Sequence, residues 1–214
     1  MRIITISLAC ILFVGSLSGC STLRRARQAS ALEEENAQLK STIDDLRRTK
    51  ETKVSELEEA KLDLERSLQK EISEYKAKLK MTERGLVISF LAEIFFDPGK
   101  DVIRNDAKPV LQKVAAVLKD KVSDSYVAVE GHTDNQPIKH SSWKSNWELS
   151  SHRALAVLHY FIDYCSVAPA RLSAVGYGEF KPNVKNDSAQ NRQKNRRVEI
   201  VILPSKINKI KAQE

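Results

Sequence analysis

Gly131-His132-Thr133-Asp134 follows a short apolar run, Tyr126 to Glu130, and reads as the turn that ends a strand. An aspartate in a turn after a buried strand stands where α/β sheets commonly carry function. Two basic stretches can meet it. Arg153 lies in Asn146-Trp147-Glu148-Leu149-Ser150-Ser151-His152-Arg153, a helical pattern, and Arg196 and Arg197 lead into a last apolar run, Val198 to Leu203. A carboxylate and a guanidinium on neighbouring rigid elements can grip a small zwitterion: the acid takes the ammonium, and the guanidinium takes the carboxylate in its fork. Other roles stay open. Asp134 equally suits a turn-capping aspartate bonded to its own backbone. Arg153 equally suits a structural partner of Glu148 or Asp163. Side chains alternate along a strand, so at most one of Arg196 and Arg197 faces the covered side of the sheet.

Other chemistry has little support. His132 has no metal-ligand spacing with His140, His152, His159 or a cysteine, and no metal or other cofactor is expected. No serine, nor Cys165, has a visible base and orienting acid, and no catalytic carboxylate pair stands out, so no enzyme activity is expected. Of Cys10, Cys20 and Cys165, the first falls in an apolar leader, and no structural disulfide is expected.

The elements that must position these residues follow from punctuation. Neither glycine nor proline occurs between Gly19 and Gly85, whereas five glycines and all six prolines fall from Gly85 onward. The first part therefore reads as a long helix and the second as a turn-rich domain. Over residues 32–82, apolar residues including Leu32, Leu39, Ile43, Leu46, Val54, Leu57, Leu64, Leu68, Ile72, Tyr75 and Leu79 recur mostly at three, four and seven, with stutters. One narrow stripe cannot be stable alone in water, so an imperfect coiled coil and a homo-oligomer are expected. A helix over residues 30–82 would span about 80 Å. Gly85 is expected to end that helix. Leu86–Phe90, continued by Ile94–Phe96, reads as the first strand, followed by the turn Asp97-Pro98-Gly99. Asp106 is placed to cap a helix with Val110, Leu111, Val114, Val117 and Leu118 on its buried face. A second helix from Asn146 to Tyr164, a strand Leu172–Gly176, a polar loop over 186–196 and the closing strand Val198–Leu203 complete an α/β (α+β) two-layer sandwich with a β-α-β-α-β core.

The formal net charge of +7 invites a nucleic-acid reading. Residues 24–84 are nearly neutral, and the surplus gathers between Arg192 and Lys211, with seven basic groups. A solvated basic face explains this, and no nucleic-acid partner is expected. Residues 1–19 read as an export signal, with Arg2 followed by an apolar run of about 15 residues, short for a spanning helix. Leu17-Ser18-Gly19-Cys20 resembles the bacterial lipobox, which implies cleavage before Cys20 and its lipidation. Ser21 fits an outer-membrane, periplasm-facing lipoprotein tied to its membrane by the lipid. Residues 20–31 then form a tether and residues 205–214 a basic tail.

"VEGHTD", "SNWELSSHRA", "RLSAVGYGEFKP" and "NRQKNRRVEIVI" resemble the OmpA C-terminal, or peptidoglycan-associated, domain family over residues 84–204. "RGLVISFLAEIFFDPGKDVI" and "SNWELS" are most similar to the version in flagellar-motor stator B subunits. The resemblance implies noncovalent binding of peptidoglycan through the diaminopimelate of its stem peptide. Asp134 would take the ammonium and Arg153 the carboxylate of that side chain. Thr133 and Asn146 would line the pocket, Arg196 or Arg197 would add positive charge, and Asp97 would border it. The whole then reads as an outer-membrane lipoprotein anchored to the cell wall. The alternative is a stator-type ion-channel subunit, which needs an ionisable carboxylate in its spanning helix. Ile3 to Gly19 contains none.

Overall fold

The computed structural model describes residues 2–74, 76–139 and 142–204, apart from the side chains of residues 2–23 and 26. Leader cleavage, lipidation of Cys20 and the basic tail concern positions outside those descriptions. The chain divides into two units, residues 1–50 and 51–214. Helix α1 (Arg2–Ser67) runs through the first and into the second. In the first unit Leu32, Leu39 and Ile43 stand 57%, 54% and 48% exposed, an apolar stripe open to water.

In the second unit the same helix is covered. Leu57, Ala60, Leu64 and Leu68 recur at three and four, and all are buried in the core of the C-terminal domain. Ion pairs flank this seam, Lys53 with Asp124 at 2.7 Å and Lys121 with Asp63 at 3.4 Å. The lower stripe is therefore closed by this chain's own domain, not by a partner helix as expected.

The helix also ends earlier than expected. After α1 come a short helix α2 (Gln69–Ser73) and strand β1 (Ala77–Thr82). Ala77, Leu79 and Met81 alternate with Lys78, Lys80 and Thr82, which is the period of a strand. β1 pairs antiparallel with β2 (Gly85–Leu91), and Thr82 opposite Gly85 leaves Glu83-Arg84 as a two-residue hairpin loop. Gly85 opens β2 instead of ending a helix. Its φ is +127°, and a Cβ there would meet the Ile202 carbonyl oxygen at 2.1 Å.

Ile94–Phe96 does not continue the strand. Ala92–Phe95 makes a helical turn, α3, and packs the rings of Phe90, Phe95 and Phe96 at 5.0 and 6.2 Å. Helix α4 (Lys108–Asp120) buries Val110, Leu111, Val114, Val117 and Leu118. Asp106 does not cap it but pairs with Arg104 at 2.9 Å. Then follow β3 (Tyr126–His132), α5 (Asn146–Asp163) and β4 (Leu172–Gly176). The polar stretch read as a loop contains α6 (Ala189–Asn195), capped by the Ser188 hydroxyl, which accepts from Asn191 N–H at 3.1 Å. β5 (Arg197–Leu203) closes the sheet.

The strand order is β1-β2-β5-β3-β4, with β3 and β4 parallel and the other pairs antiparallel. α5 is the crossover that a parallel pair requires. Ile88, Phe90, Val127, Val129, Val198, Ile200 and Ile202 share one core with Leu111, Val114, Leu118, Val157 and Phe161. This is the expected two-layer α/β sandwich, widened by β1.

Two glycines seat α5. Gly131 and Gly176 are register partners on β3 and β4. A Cβ on Gly131 would meet the Ser150 carbonyl oxygen at 2.0 Å, and one on Gly176 would meet Ser151 Oγ at 2.2 Å. Their missing side chains let the first turns of α5 lie directly on the strands. That approach sets Asn146 and Arg153 beside the turn that follows β3.

Candidate binding site

A cleft of about 340 Å³ opens between the end of β3, the first turns of α5, the Asp97–Lys100 turn and the start of β5. Asp134, Arg153, Thr133, Asn146 and Arg196 line it, with Phe96, Leu149 and Pro98 as apolar walls. Its size suits a small-molecule headgroup.

Asp134 is 6% exposed. Its Oδ1 accepts from the Gln136 N–H at 3.0 Å, so the turn-capping reading is met by one oxygen. Its Oδ2 accepts from Arg196 Nη1 at 2.6 Å. A carboxylate has about four lone-pair sites, which leaves room for a further donor from the cleft.

Arg153 is 5% exposed. Neither Glu148 nor Asp163 pairs with it. Nε donates to the Lys100 carbonyl at 2.9 Å, Nη2 donates to the Asp97 carbonyl at 3.3 Å, and the guanidinium lies 5.2 Å from the centre of the Phe96 ring. Among the described residues it makes no ion pair. Burial pushes its pKa down to about 10, and the nearby charge of Arg196 adds to this, while Asp101 and Asp134 oppose it. A buried, uncompensated guanidinium is a site for an anion.

Asn146 and Thr133 act mainly as clamps. The Asn146 amide donates to the carbonyls of Asp134 (3.3 Å) and Gln136 (3.0 Å) and to Glu179 Oε2 (2.7 Å). Thr133 donates from Oγ1 to the Asp134 carbonyl at 3.0 Å and from N–H to the Gly178 carbonyl at 2.9 Å. Ser145 caps α5, accepting from the Glu148 N–H at 3.3 Å.

Two expected residues lie differently. Arg197 does not line the cleft. Its Nε donates to Glu199 Oε1 at 2.6 Å, and its other nitrogens donate to the carbonyls of Asn195 and Lys181. The side chain of Asp97 is half-exposed and pairs with Arg104 at 3.3 Å. Asp97 serves the cleft through its carbonyl, which holds Arg153. Trp143, missed in the sequence, ties the segment just before α5 to the same turn by donating from Nε1 to the Gly99 carbonyl at 2.8 Å. Glu179 was also missed, since only the fold brings it to Asn146.

The sheet's other face carries a second cluster, because Glu130 and His132 alternate with the core-facing Val127, Val129 and Gly131. Ligand-type atoms of Glu130, His132 and Glu199 come within 4.8 Å of one another, although the sequence shows no metal-ligand spacing. Both carboxylates are already held by guanidiniums, Glu130 by Arg84 and Glu199 by Arg197. Neither ring nitrogen of His132 has a hydrogen-bond partner among the described residues. Burial first, then the charge of Arg197, pushes its pKa down to about 3.

Comparison with known proteins places this architecture. Residues 95–196 match the OmpA family. The C-terminal domain belongs to the OmpA family. Motility protein B of Bacillus subtilis (strain 168) is 40% identical over 149 residues, covering 70% of this chain and 57% of the relative. The chain spans about half the length of the curated relatives it matches. A putative MotB-like protein from Desulfovibrio vulgaris superposes with a TM-score of 0.66 at 26% identity, covering 72% of this chain and 94% of that one. The cell wall anchor of the T6SS from Pseudomonas aeruginosa gives 0.60 at 30% identity, covering 66% and 96%. In this OmpA-family domain the cleft lies wholly within the second unit, between β3, α5 and β5.

Proposed function

We infer that the domain binds peptidoglycan noncovalently, by gripping the free amino-acid headgroup of diaminopimelate in its stem peptide. The observation that carries this reading is the buried Arg153 without a carboxylate partner, beside the buried carboxylate of Asp134 in one cleft. A headgroup with ammonium and carboxylate on one carbon meets both. A lysine side chain brings only the ammonium and leaves Arg153 without an anion, so the cleft discriminates against lysine-type walls. That the similar Pseudomonas protein is a cell wall anchor supports the polymer as ligand. The role in this reading is retention on the polymer.

Single sites of this kind bind weakly. The open stripe Leu32, Leu39 and Ile43 supports self-association, and linked sites on one polymer gain roughly 100-fold or more in avidity. The lipobox resemblance at Leu17–Cys20 supports an outer-membrane lipoprotein that ties its membrane to the wall. The Motility protein B relatives favour a second reading, a stator-type subunit held by the same domain. Mass spectrometry of the mature N-terminus separates the two: a lipidated Cys20 supports the first, and an uncleaved leader supports the second.

The binding test is sedimentation of the full chain with purified walls. Diaminopimelate-type peptidoglycan should carry the wild type down, and Asp134→Asn and Arg153→Lys should each weaken this by at least about tenfold. Lysine-type walls should retain little protein. Retention by both variants, or equal retention by the two wall types, would overturn the reading.

A further inference from the structure

Beside the cleft, two large rings lie on the surface. Trp147 and Phe180 are stacked, with centroids 5.2 Å apart and planes 22° from parallel, yet they are 48% and 63% exposed. Exposed large rings in contact mark interaction surfaces more often than chance decoration. Trp147 comes from the first turn of α5, and Phe180 from the turn after β4.

This stack is held in place by backbone. Gly178, at φ +54°, packs on the start of α5, where a Cβ would meet Trp147 N at 3.4 Å. Its N–H donates to Ser150 Oγ at 2.9 Å, and Phe180 N–H donates to the Tyr177 carbonyl at 3.2 Å. The start of α5 walls the cleft through Asn146 and Leu149, and the turn after β4 is bonded to that wall. Asn146, next to Trp147, reaches Glu179, next to Phe180, at 2.7 Å, and Gly178 accepts from Thr133. The aromatic pair is therefore tied to the cleft wall through Asn146 and Thr133.

We propose that the Trp147–Phe180 stack is a sugar-binding surface for the glycan strand of the polymer whose stem peptide enters the cleft. The proposal rests on the peptidoglycan reading above. A pyranose ring has an apolar C–H face that packs on an aromatic ring and a polar rim that needs hydrogen bonds. Glu179, next to Phe180, brings a carboxylate to the rim of the stack, where Asn146 holds one of its oxygens. Two rings among charged neighbours are too small for the apolar centre of a stable protein interface. Reach agrees as well. A stem peptide is joined to an amino sugar, and two to three residues of extended chain span only about 10 Å. A cleft that holds a residue of so short a peptide must have sugar close by.

The test compares two soluble ligands of the full chain by calorimetry: a diaminopimelate-containing tetrapeptide, and the same peptide on its N-acetylated disaccharide. The wild type should bind the disaccharide form about fivefold more tightly. Phe180→Ala should abolish that gain and leave the free peptide's affinity unchanged, while Phe180→Trp should keep it. Trp147→Ala should act like Phe180→Ala, and the more exposed Phe180 carries the test if Trp147→Ala fails to fold. Equal wild-type affinities for both ligands would overturn the sugar surface while leaving the cleft reading intact. So would a Phe180→Ala variant that weakens both ligands alike or loses self-association instead. A wild type that does not bind the free peptide would instead sink the cleft reading.

Discussion

Arg196 Nη1 lies 2.6 Å from Asp134 Oδ2, so the cleft contains its own counter-ion for the carboxylate and none for Arg153. The cleft is thus biased toward ligands that bring an anion. Asp134→Asn keeps a turn-capping oxygen for the Gln136 N–H but loses the charge. Arg196 is 41% exposed, so the pair is screened, and the stability loss should be about 1 kcal/mol. A double-mutant cycle with Arg196→Ala, read by denaturant unfolding, should show coupling of that size. Losses that simply add would mean the contact contributes nothing.

Arg153 is at once a binding group and a strut for the Asp97–Lys100 turn. Lysine cannot reach both carbonyls and cover Phe96, so Arg153→Lys should cost about 1–3 kcal/mol while the fold survives. Its pKa of about 10 keeps it charged at neutral pH. As far as this group decides, peptide affinity should be flat between about pH 6 and 9. Titration calorimetry at several pH values measures this, and a decline already by pH 8 would contradict it.

His132 predicts acid sensitivity. Its folded pKa is about 3, below the unfolded 6.5, so the unfolded chain binds the proton first. Stability should begin to fall as pH drops through 6.5 and continue to fall until about pH 3. The total is on the order of 4 kcal/mol. Glu199 adds to the loss at the acid end. Burial opposes its charge, but Arg197 outweighs this and holds its pKa below the usual carboxylate value. His132→Leu should remove the part of the slope near pH 5–6. An unchanged slope in urea denaturation across that range would count against the assignment.

The two halves of the α1 stripe should respond oppositely. Leu64 is fully buried in the domain core, so Leu64→Ala should cost about 2–5 kcal/mol in domain unfolding. Leu39 is 54% exposed, so Leu39→Ala should leave unfolding unchanged within about 0.5 kcal/mol but weaken self-association. Sedimentation velocity and thermal melts separate these outcomes.

Gly131→Ala should be severe. The new methyl would stand 2.0 Å from the Ser150 carbonyl, a helix backbone atom that cannot swing aside. A loss of about 3 kcal/mol or more, together with loss of wall binding, follows from lifting α5 off β3. A variant that melts like the wild type would show that α5 has slack here.

Four of the five strands, and the helices that cover them, were legible because they carry local periods. Leu86–Phe90, Tyr126–Glu130, Leu172–Gly176 and Val198–Leu203 are apolar runs bounded by turn residues, and the faces of α4 and α5 repeat at three and four. Asp134, Arg153, Thr133 and Asn146 were legible as a set from motifs that resemble the family's, with Arg196 and Arg197 left as alternatives, and the fold brings those four and Arg196 to one cleft. β1 was not legible as a strand. Ile72, Tyr75 and Leu79 continue a helical spacing by coincidence, and the competing alternation of Ala77, Leu79 and Met81 is short. Only pairing with β2 decides between them, since an edge strand exists through its neighbour's hydrogen bonds.

What the sequence determined by itself is the chemistry available: one acid turn, arginines on two flanking elements and an apolar helical stripe. What the tertiary structure decided is how those parts are used. It assigns Arg196, not Arg197, to Asp134, leaves Arg153 buried without a carboxylate, turns Asp97 outward and closes the stripe below Val54 on the chain's own core. These choices depend on distances between residues tens of positions apart. Local propensity carries no information about such distances until β3, α5 and β5 are packed together.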